Sequence, residues 1–246
     1  MAPVVTQPMK FLGLDLGWQS GASGLCQLVQ DGSHLALVTL QHLMQLSDVL
    51  SWIDREIPVH DPMMAAVDAP TIIPNATGMR VPDRLVHRGY GRYHAGCYPA
   101  NQGRPFAARL VAFGQALEAR QLHHAPTLLP RQSGRYQIEV FPHPAMVNLF
   151  RLPRSLKYKK GRLADRRREL SRLRHLILTV LPELEPALPI APTALPAIPE
   201  TGRALKAVED QLDSLICAYA AAHYWWWGEA RNQVLGSQAE GYIVVP

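Results

Sequence analysis

The sequence predicts an α/β fold on a five-stranded mixed sheet, three antiparallel strands followed by two parallel ones, flanked by helices. Three observations point there. The N-terminal part carries three apolar runs separated by short turn signals, and strands joined so closely pair antiparallel. After Leu43 the apolar spacing alternates between the helical period and short apolar runs, as in units that build a parallel sheet. The run Phe11 to Trp18 is apolar on both sides of its one acid, as in a strand covered on both faces.

Taken in order, Lys10 to Trp18 is the first predicted strand, Gly21 to Gly24 a turn, and Leu25 to Gln30 the second strand. Asp31-Gly32-Ser33 signals a hairpin, and Leu35 to Leu40 returns as the third strand. Leu43, Leu46, Val49, Leu50 and Ile53 keep helical spacing, with Ser47 and Asp48 on the opposite side, and Pro58 and Pro62 close that helix. Met63 to Val67 is the fourth strand and runs into Asp68-Ala69-Pro70. Residues 71–104 show no period, are rich in Gly and Pro, and carry Arg80, Arg84, Arg88, Arg92 and Arg104. They read as an irregular Arg-rich insertion. Phe106 to Leu122 is a helix with Leu110, Phe113 and Leu117 on one face. Tyr136 to Phe141 is the fifth strand, contains Glu139 and ends at Pro142; Pro144 to Phe150 is a short helix and Ser155 to Gly161 a basic loop. Leu163 to Leu181 is a helix with a stripe of Leu170, Leu173, Ile177 and Val180. Six prolines between Pro182 and Pro199 exclude a continuous helix and predict an extended connector over about 182–202. Arg203 to Trp227 is the last long helix, and Tyr242 to Val245 is expected to add an edge strand. Without repeats or a shift in composition, residues 1–246 read as one domain.

Of the 246 residues, 48% are hydrophobic and 18% charged, an ordinary globular balance. No apolar run reaches the roughly 18 residues of a membrane span. Met1 to Met9 is too short and too polar for a signal peptide. Cys26, Cys97 and Cys217 are too few and too scattered for a disulfide framework or a zinc site, so a reducing cytoplasm is expected. The formal charge of +5 is local: Arg151 to Arg174 holds 11 Lys and Arg against Asp165 and Glu169, and the rest of the chain is net −4. Such a patch suits a polyanion, nucleic acid or a phosphorylated ligand, although it also suits a solvated helix face. A homodimer is compatible with this surface.

Asp15 stands in the middle of the first apolar run. A buried carboxylate is costly unless it is paired, hydrogen-bonded or bound to a metal, and Gly13 and Gly17 allow backbone or ligand to come close. Turn amides at the strand end would also satisfy it. On the last helix, Asp210 and Asp213 lie one turn apart on one face beside Glu209, ahead of the wholly apolar Leu215 to Ala220. They would lie at the core edge, or act as helix-start acids complementing the macrodipole. In an α/β sheet the first and fourth strands can be neighbours, bringing Asp15 and Asp68 together, with Glu139, Asp210 and Asp213 close by. Several carboxylates in one cleft cannot all stay ionised without cations, and oxygen-only ligands suit Mg2+ or Mn2+. Two such ions about 4 Å apart can activate a water and stabilise the leaving oxygen of a phosphodiester.

The order of elements resembles the RNase H-like fold, and an acid on strand one, an acid on strand four and Asp-x-x-Asp on the last helix resemble the RuvC-type junction resolvases. Nearly the whole chain resembles the family catalogued as domain of unknown function 429, predicted RNase H-like nucleases. The resemblance is carried by Gly13-Leu14-Asp15-Leu16-Gly17, Ala66-Val67-Asp68-Ala69-Pro70, Tyr98-Pro99-Ala100-Asn101, Glu139-Val140-Phe141-Pro142-His143, Leu156-Lys157-Tyr158-Lys159-Lys160-Gly161 and Glu209-Asp210-Gln211-Leu212-Asp213-Ser214-Leu215. It implies a nucleic-acid nuclease in which Asp15 bridges two Mg2+ or Mn2+ ions, Asp68 binds one, and Asp213 with Asp210 binds the other. Asp15, Asp68, Asp210, Asp213 and Glu139 are then the catalytic set, with Glu139 orienting substrate or ligands. Lys157, Lys159, Lys160 and Arg162 hold phosphates, and Arg80, Arg84 and the arginines after them cover the cleft as a lid. His143 shuttles a proton or makes a structural hydrogen bond. Where the resolvases place a Glu on strand four, this chain has Asp68, so a metal would sit closer to that strand.

Two other readings start from the same residues. Gly13-Leu14-Asp15-Leu16-Gly17 also resembles the first phosphate motif of actin-like and sugar-kinase ATPases, although no second glycine-rich strand turn follows. A non-catalytic module binding nucleic acid or protein is the other, with Trp225-Trp226-Trp227 as an interface patch or as aromatic packing at a helix end.

Overall fold

A strand meander opens the fold. In the computed structural model, which describes residues 7–19 and 21–246, β1 (Lys10–Asp15), β2 (Ser23–Asp31) and β3 (His34–Leu43) pair antiparallel. The stretch Met1 to Met9, read as lacking a signal peptide, lies mostly outside the described residues. After α1 (Leu46–Glu56), β4 (Met63–Val67) returns parallel to β1. Helices α2 (Val81–Tyr90) and α3 (Ala107–Glu118) precede β5 (His123–His124) and β6 (Arg135–Glu139), and β6 lies parallel to β4. The sheet runs β3-β2-β1-β4-β6-β5 and so has six strands where the sequence predicts five. The extra one, β5, is only two residues long, too short to show alternation.

Helices cover both faces. One core joins β1 and β4 side chains to Val49, Trp52 and Ile53 of α1 and Leu110, Phe113 and Leu117 of α3. The other joins the opposite face of the same strands to α4 (Pro142–Leu149), α5 (Leu163–Val180) and the 26-residue α6 (Gly202–Trp227). Among the described residues no helix is long and apolar enough to cross a membrane.

Two further expectations change. The segment 71–104 is not irregular throughout, since it contains α2; the buried positions of that helix include Pro82 and Asp83, which hide its apolar stripe. The C-terminal strand is not an edge of the main sheet. It forms β8 (Gly241–Val245) and pairs with β7 (Gln233–Ser237) as a separate hairpin, meeting the sheet through the Val140–Val244 bridge. Of the two readings of the Trp225-Trp226-Trp227 run, the packing one holds for Trp225 and Trp226, which are buried in the core, and Arg131 and Arg231 lie over the rings of Trp226 and Trp227 at 3.9 and 3.6 Å. The proline-rich connector breaks into single 3-10 turns, and its Ala187 carbonyl takes the Leu35 amide at 2.8 Å, covering part of the β3 edge.

Strand alternation decides which side chains meet α6. Phe11 faces that helix and Leu12 and Leu14 face the other core, so Gly13 and Asp15 point to α6. On β4 the same rule sends Met64 and Ala66 to α6, and Asp68, two residues on, shares their side. On β3 a bulge opposite Gln27 and Leu28 shifts the register. Leu35 and Leu37 face the α6 core before it, and Leu40 does so after it, so His42 is turned toward α6.

Two glycines let α6 lie directly on the sheet. A Cβ on Gly13 would sit 1.8 Å from the Ser214 carbonyl oxygen, and one on Gly24 would sit 1.9 Å from that of Asp210. The glycine beside Asp15 therefore admits protein backbone. Gly13→Ala or Gly24→Ala must push the helix off the sheet and should cost about 1–3 kcal/mol or more. Gly89→Ala, where nothing lies within 4 Å, should be neutral or stabilising. Urea midpoints check this; equal midpoints for all three variants would show that α6 is not held against the strands.

Candidate functional site

The carboxyl ends of the parallel strands β1, β4 and β6 are where α/β sheets place their sites, and three predicted acids stand there. Asp15 ends β1. The Asp68 amide donates to the Leu14 carbonyl at 2.8 Å, which carries the β1–β4 pairing one residue further and sets the two carboxyls side by side. They are close enough to share a hydrogen bond, which needs a proton on one of them. From above, α6 adds Asp213, fully buried, and Asp210 one turn earlier. Asp15, Asp68, Asp210 and Asp213 thus converge from points far apart in the chain.

Two lysines answer them. Lys159 Nζ lies 2.7 Å from Asp213 Oδ2, an ion pair without hydrogen-bond alignment. The Lys206 ammonium bonds Asp210 and lies 3.0 Å from Glu209. The Tyr158 hydroxyl donates to Asp213 Oδ1 at 2.6 Å, and His42 Nε2 is 3.2 Å from Asp210 Oδ2. Glu209 turns to Lys206 and Arg166.

The charge balance falls short. Burial pushes the Asp15 pKa up to about 8; Lys159 opposes this, and Asp213 and Asp210 add to it. Burial, and next the Asp15 charge, hold Asp68 well above the carboxylate range. Burial raises Asp210 to about 6 against the pull of Lys206. Burial disfavours the Lys159 ammonium, yet Asp213, Asp15 and Asp68 together keep its proton on well above the ordinary lysine value. Among the described residues Asp15 Oδ2 has no hydrogen-bond partner. Buried oxygen donors in excess over cations, one of them unpartnered, have the chemistry of a hard divalent ion. Among the described residues no three His, Cys, Asp or Glu side chains stand ready to grip a metal, and the positive charges the acids face are the Lys159 and Lys206 ammonium groups.

The remaining predicted residues separate. Lys157, Lys160 and Arg162 are exposed. Lys159, predicted with them as a phosphate ligand, turns inward because the acids attract it. Arg80, predicted in a lid over substrate, is buried: its Nη2 lies 2.6 Å from Glu139 Oε1 and 2.7 Å from Asp83 Oδ1, leaving no free face for phosphate. Arg84 is exposed and donates to the Met79 carbonyl at 2.6 Å. Glu139 is in register with Val67, whose side chain faces α3, so it leaves the sheet on the face opposite Asp15 and meets Arg80 instead of the acids. Burial lifts its pKa to about 7 while Arg80 pulls it down. His143 lines the cleft, its Nδ1 makes no hydrogen bond among the described residues, and burial lowers its pKa to about 4, which keeps the ring neutral.

His42, Tyr158, Lys206 and Trp18 were not singled out from sequence. Tyr158 lies inside the quoted Leu156–Gly161 motif, and Lys206 lies four residues before Asp210, a helical spacing that signals an ion pair. His42 carries no such signal, because the bulge decides its face. Beside the acids opens a cleft of about 480 Å3, also lined by Trp18, Phe106, Tyr98, Phe141 and Cys97.

The family model described as "Protein of unknown function (DUF429)" matches residues 13–239, and the chain belongs to that family. No curated protein and no solved structure matches it.

The Arg80 network should be structural. Arg80→Met strands Glu139 and Asp83 without their counter-charge and should cost about 3–5 kcal/mol, as breaking a buried ion pair does. Arg84→Ala should stay within about 0.5 kcal/mol of the parent. Urea titration checks both; similar small losses would mean that the network contributes little.

Proposed function

We propose that this member of the DUF429 family is an RNase H-like, metal-dependent nuclease that hydrolyses phosphodiester bonds in nucleic acid. One observation carries the reading: Asp15 and Asp68 line one cleft, the buried Asp210 and Asp213 of α6 stand close enough to raise the Asp15 pKa, and two ammonium groups supply too little positive charge for all four acids. The antiparallel meander continued by parallel strands, in the order β3-β2-β1-β4-β6, supports the fold assignment. Exposed Lys157, Lys160 and Arg162, on the loop that carries Lys159, support an anionic substrate.

Asp15, Asp68, Asp213 and Asp210 would hold Mg2+ or Mn2+. When bound, such ions activate a water and neutralise charge on the phosphodiester oxygens. The protein's own residues prepare the rest. Tyr158 donates to Asp213 Oδ1 and fixes that carboxylate's orientation. His42, its pKa lowered by burial and then by Lys206, stands neutral beside Asp210 and steadies it. Lys159 neutralises Asp213, and a cation held by the acids would leave its ammonium available to a substrate phosphate. Lys157, Lys160 and Arg162, exposed on the loop that carries Lys159, bind backbone phosphates.

In Mn2+, branched, single-stranded or hybrid substrates should be cleaved. Asp15→Asn and Asp213→Asn should each lose more than the roughly 10- to 100-fold that removal of an outer partner of a ligand costs. Undiminished cleavage by Asp15→Asn would exclude this centre. Calorimetry gives a readout apart from activity. Lys159→Met removes the competing ammonium and should tighten Mn2+ binding by roughly tenfold or more. Unchanged or weaker binding would show that Lys159 does not occupy the cation's place.

A further inference from the structure

The aromatic part of the cleft is left unused by the acids, and it carries the motif Tyr98-Pro99-Ala100-Asn101, to which the proposed chemistry assigns no role. The cleft is continuous from Asp15 and Asp68 to Trp18, Phe106 and Tyr98. Its volume of about 480 Å3 is that of a site for one small planar group. A paired helix cannot enter such a space, although a single base can.

Both ends of the aromatic wall are held in place. Trp18 Nε1–H donates to the Asp68 carbonyl at 2.9 Å, and its ring packs edge-on against Phe106 with centroids 4.8 Å apart. The half-buried indole is therefore fixed to the same residue whose carboxyl belongs to the acid cluster. Tyr98 is 69% exposed, an unusual place for a large aromatic ring. Its loop is pinned from beneath: the Ala100 amide donates to Asp83 Oδ2 at 3.1 Å, and Asn101 Nδ2 donates to the Gly78 carbonyl at 2.7 Å. Asp83 is in turn clamped by Arg80, which is bound to Glu139 at the end of β6. The buried ionic network thus holds an exposed aromatic ring at the mouth of a cleft whose floor is acidic.

We infer that this wall is a stacking subsite for one unpaired nucleobase next to the reacting phosphate, so that the preferred substrate is single-stranded or presents an extruded nucleotide. This rests on the nuclease reading for the identity of the polymer. Aromatic faces accept any base, because every base has a π-face, and extruded bases are held between aromatic and apolar side chains.

The test measures binding to the full chain in Ca2+, an oxygen-liganded ion. The probes are a short single-stranded oligothymidylate, an abasic strand of the same length, and a blunt duplex. The base-bearing single strand should bind at least about fivefold more tightly than the other two, the lower bound for one stacked base. Tyr98→Ala, at an exposed position that leaves the fold intact, and Trp18→Ala should remove that difference and leave the abasic strand's Kd unchanged. Equal affinity for base-bearing and abasic strands, or an equal loss for both in the variants, overturns the inference. Displacement of the strand by an equal concentration of thymidine 5′-monophosphate also overturns it, because the occupant is then a free nucleotide. The two readings fail separately. A base preference without Mn2+-dependent cleavage refutes the nuclease and keeps the subsite, whereas cleavage of duplex and single strand with equal affinity refutes the subsite and keeps the nuclease.

Discussion

Four buried carboxylates gather around two ammonium groups, one of them on the exposed Lys206, and the arrangement around them answers that imbalance. Burial and like charge raise the proton affinity of carboxylates so placed, as they do for Asp15, Asp68 and Asp210. A fold that gathers them without an equal number of cations stores a binding potential for positive charge. Lys159 meets part of it through Asp213, and Tyr158 meets part through a neutral donor. Asp15 Oδ2 finds no partner among the described residues.

The second buried ionic assembly, a short distance along the same cleft, behaves differently. Arg80, Asp83 and Glu139 form a closed set in which a planar guanidinium meets two carboxylates at hydrogen-bond distance, and Asp83 also accepts backbone amides. That set ties the end of β6 to the start of α2 and to the loop carrying Tyr98. One network is geometrically satisfied and rigid; the other is crowded with like charge. The proposed chemistry rests on the second, and the first holds the strand end, the helix start and the loop together.

The close seating of α6 links fold to site. Backbone contact at Gly13 and Gly24 brings Asp213 and Asp210 down to the level of Asp15. A side chain at either glycine would lift the acids of the helix away from those of the strands. The row Asp15, Gly24 and His42 across β1, β2 and β3 lies beneath that helix, so the same packing that builds the core assembles the polar cluster.

Much of this was legible in the residues themselves. The meander, the β4 run, the long apolar helix and the acids Asp15, Asp68, Asp210 and Asp213 follow from local periodicity, because turn chemistry and apolar spacing act over a few residues. The helix α2 was hidden because its buried face includes Pro82 and Asp83, and β5 because two residues carry no period. The sequence by itself therefore determined the class of fold and which acids were candidates. Only the tertiary structure decided which of them meet. Strand parity sent Glu139 to the opposite face, where Arg80 neutralises it. The β3 bulge turned His42 inward. The pull of three buried carboxylates drew Lys159 out of the basic loop and into the cluster. Each of these depends on what lies across the sheet or beneath the helix, and the charge, face and register of a distant partner cannot be read from neighbours along the chain.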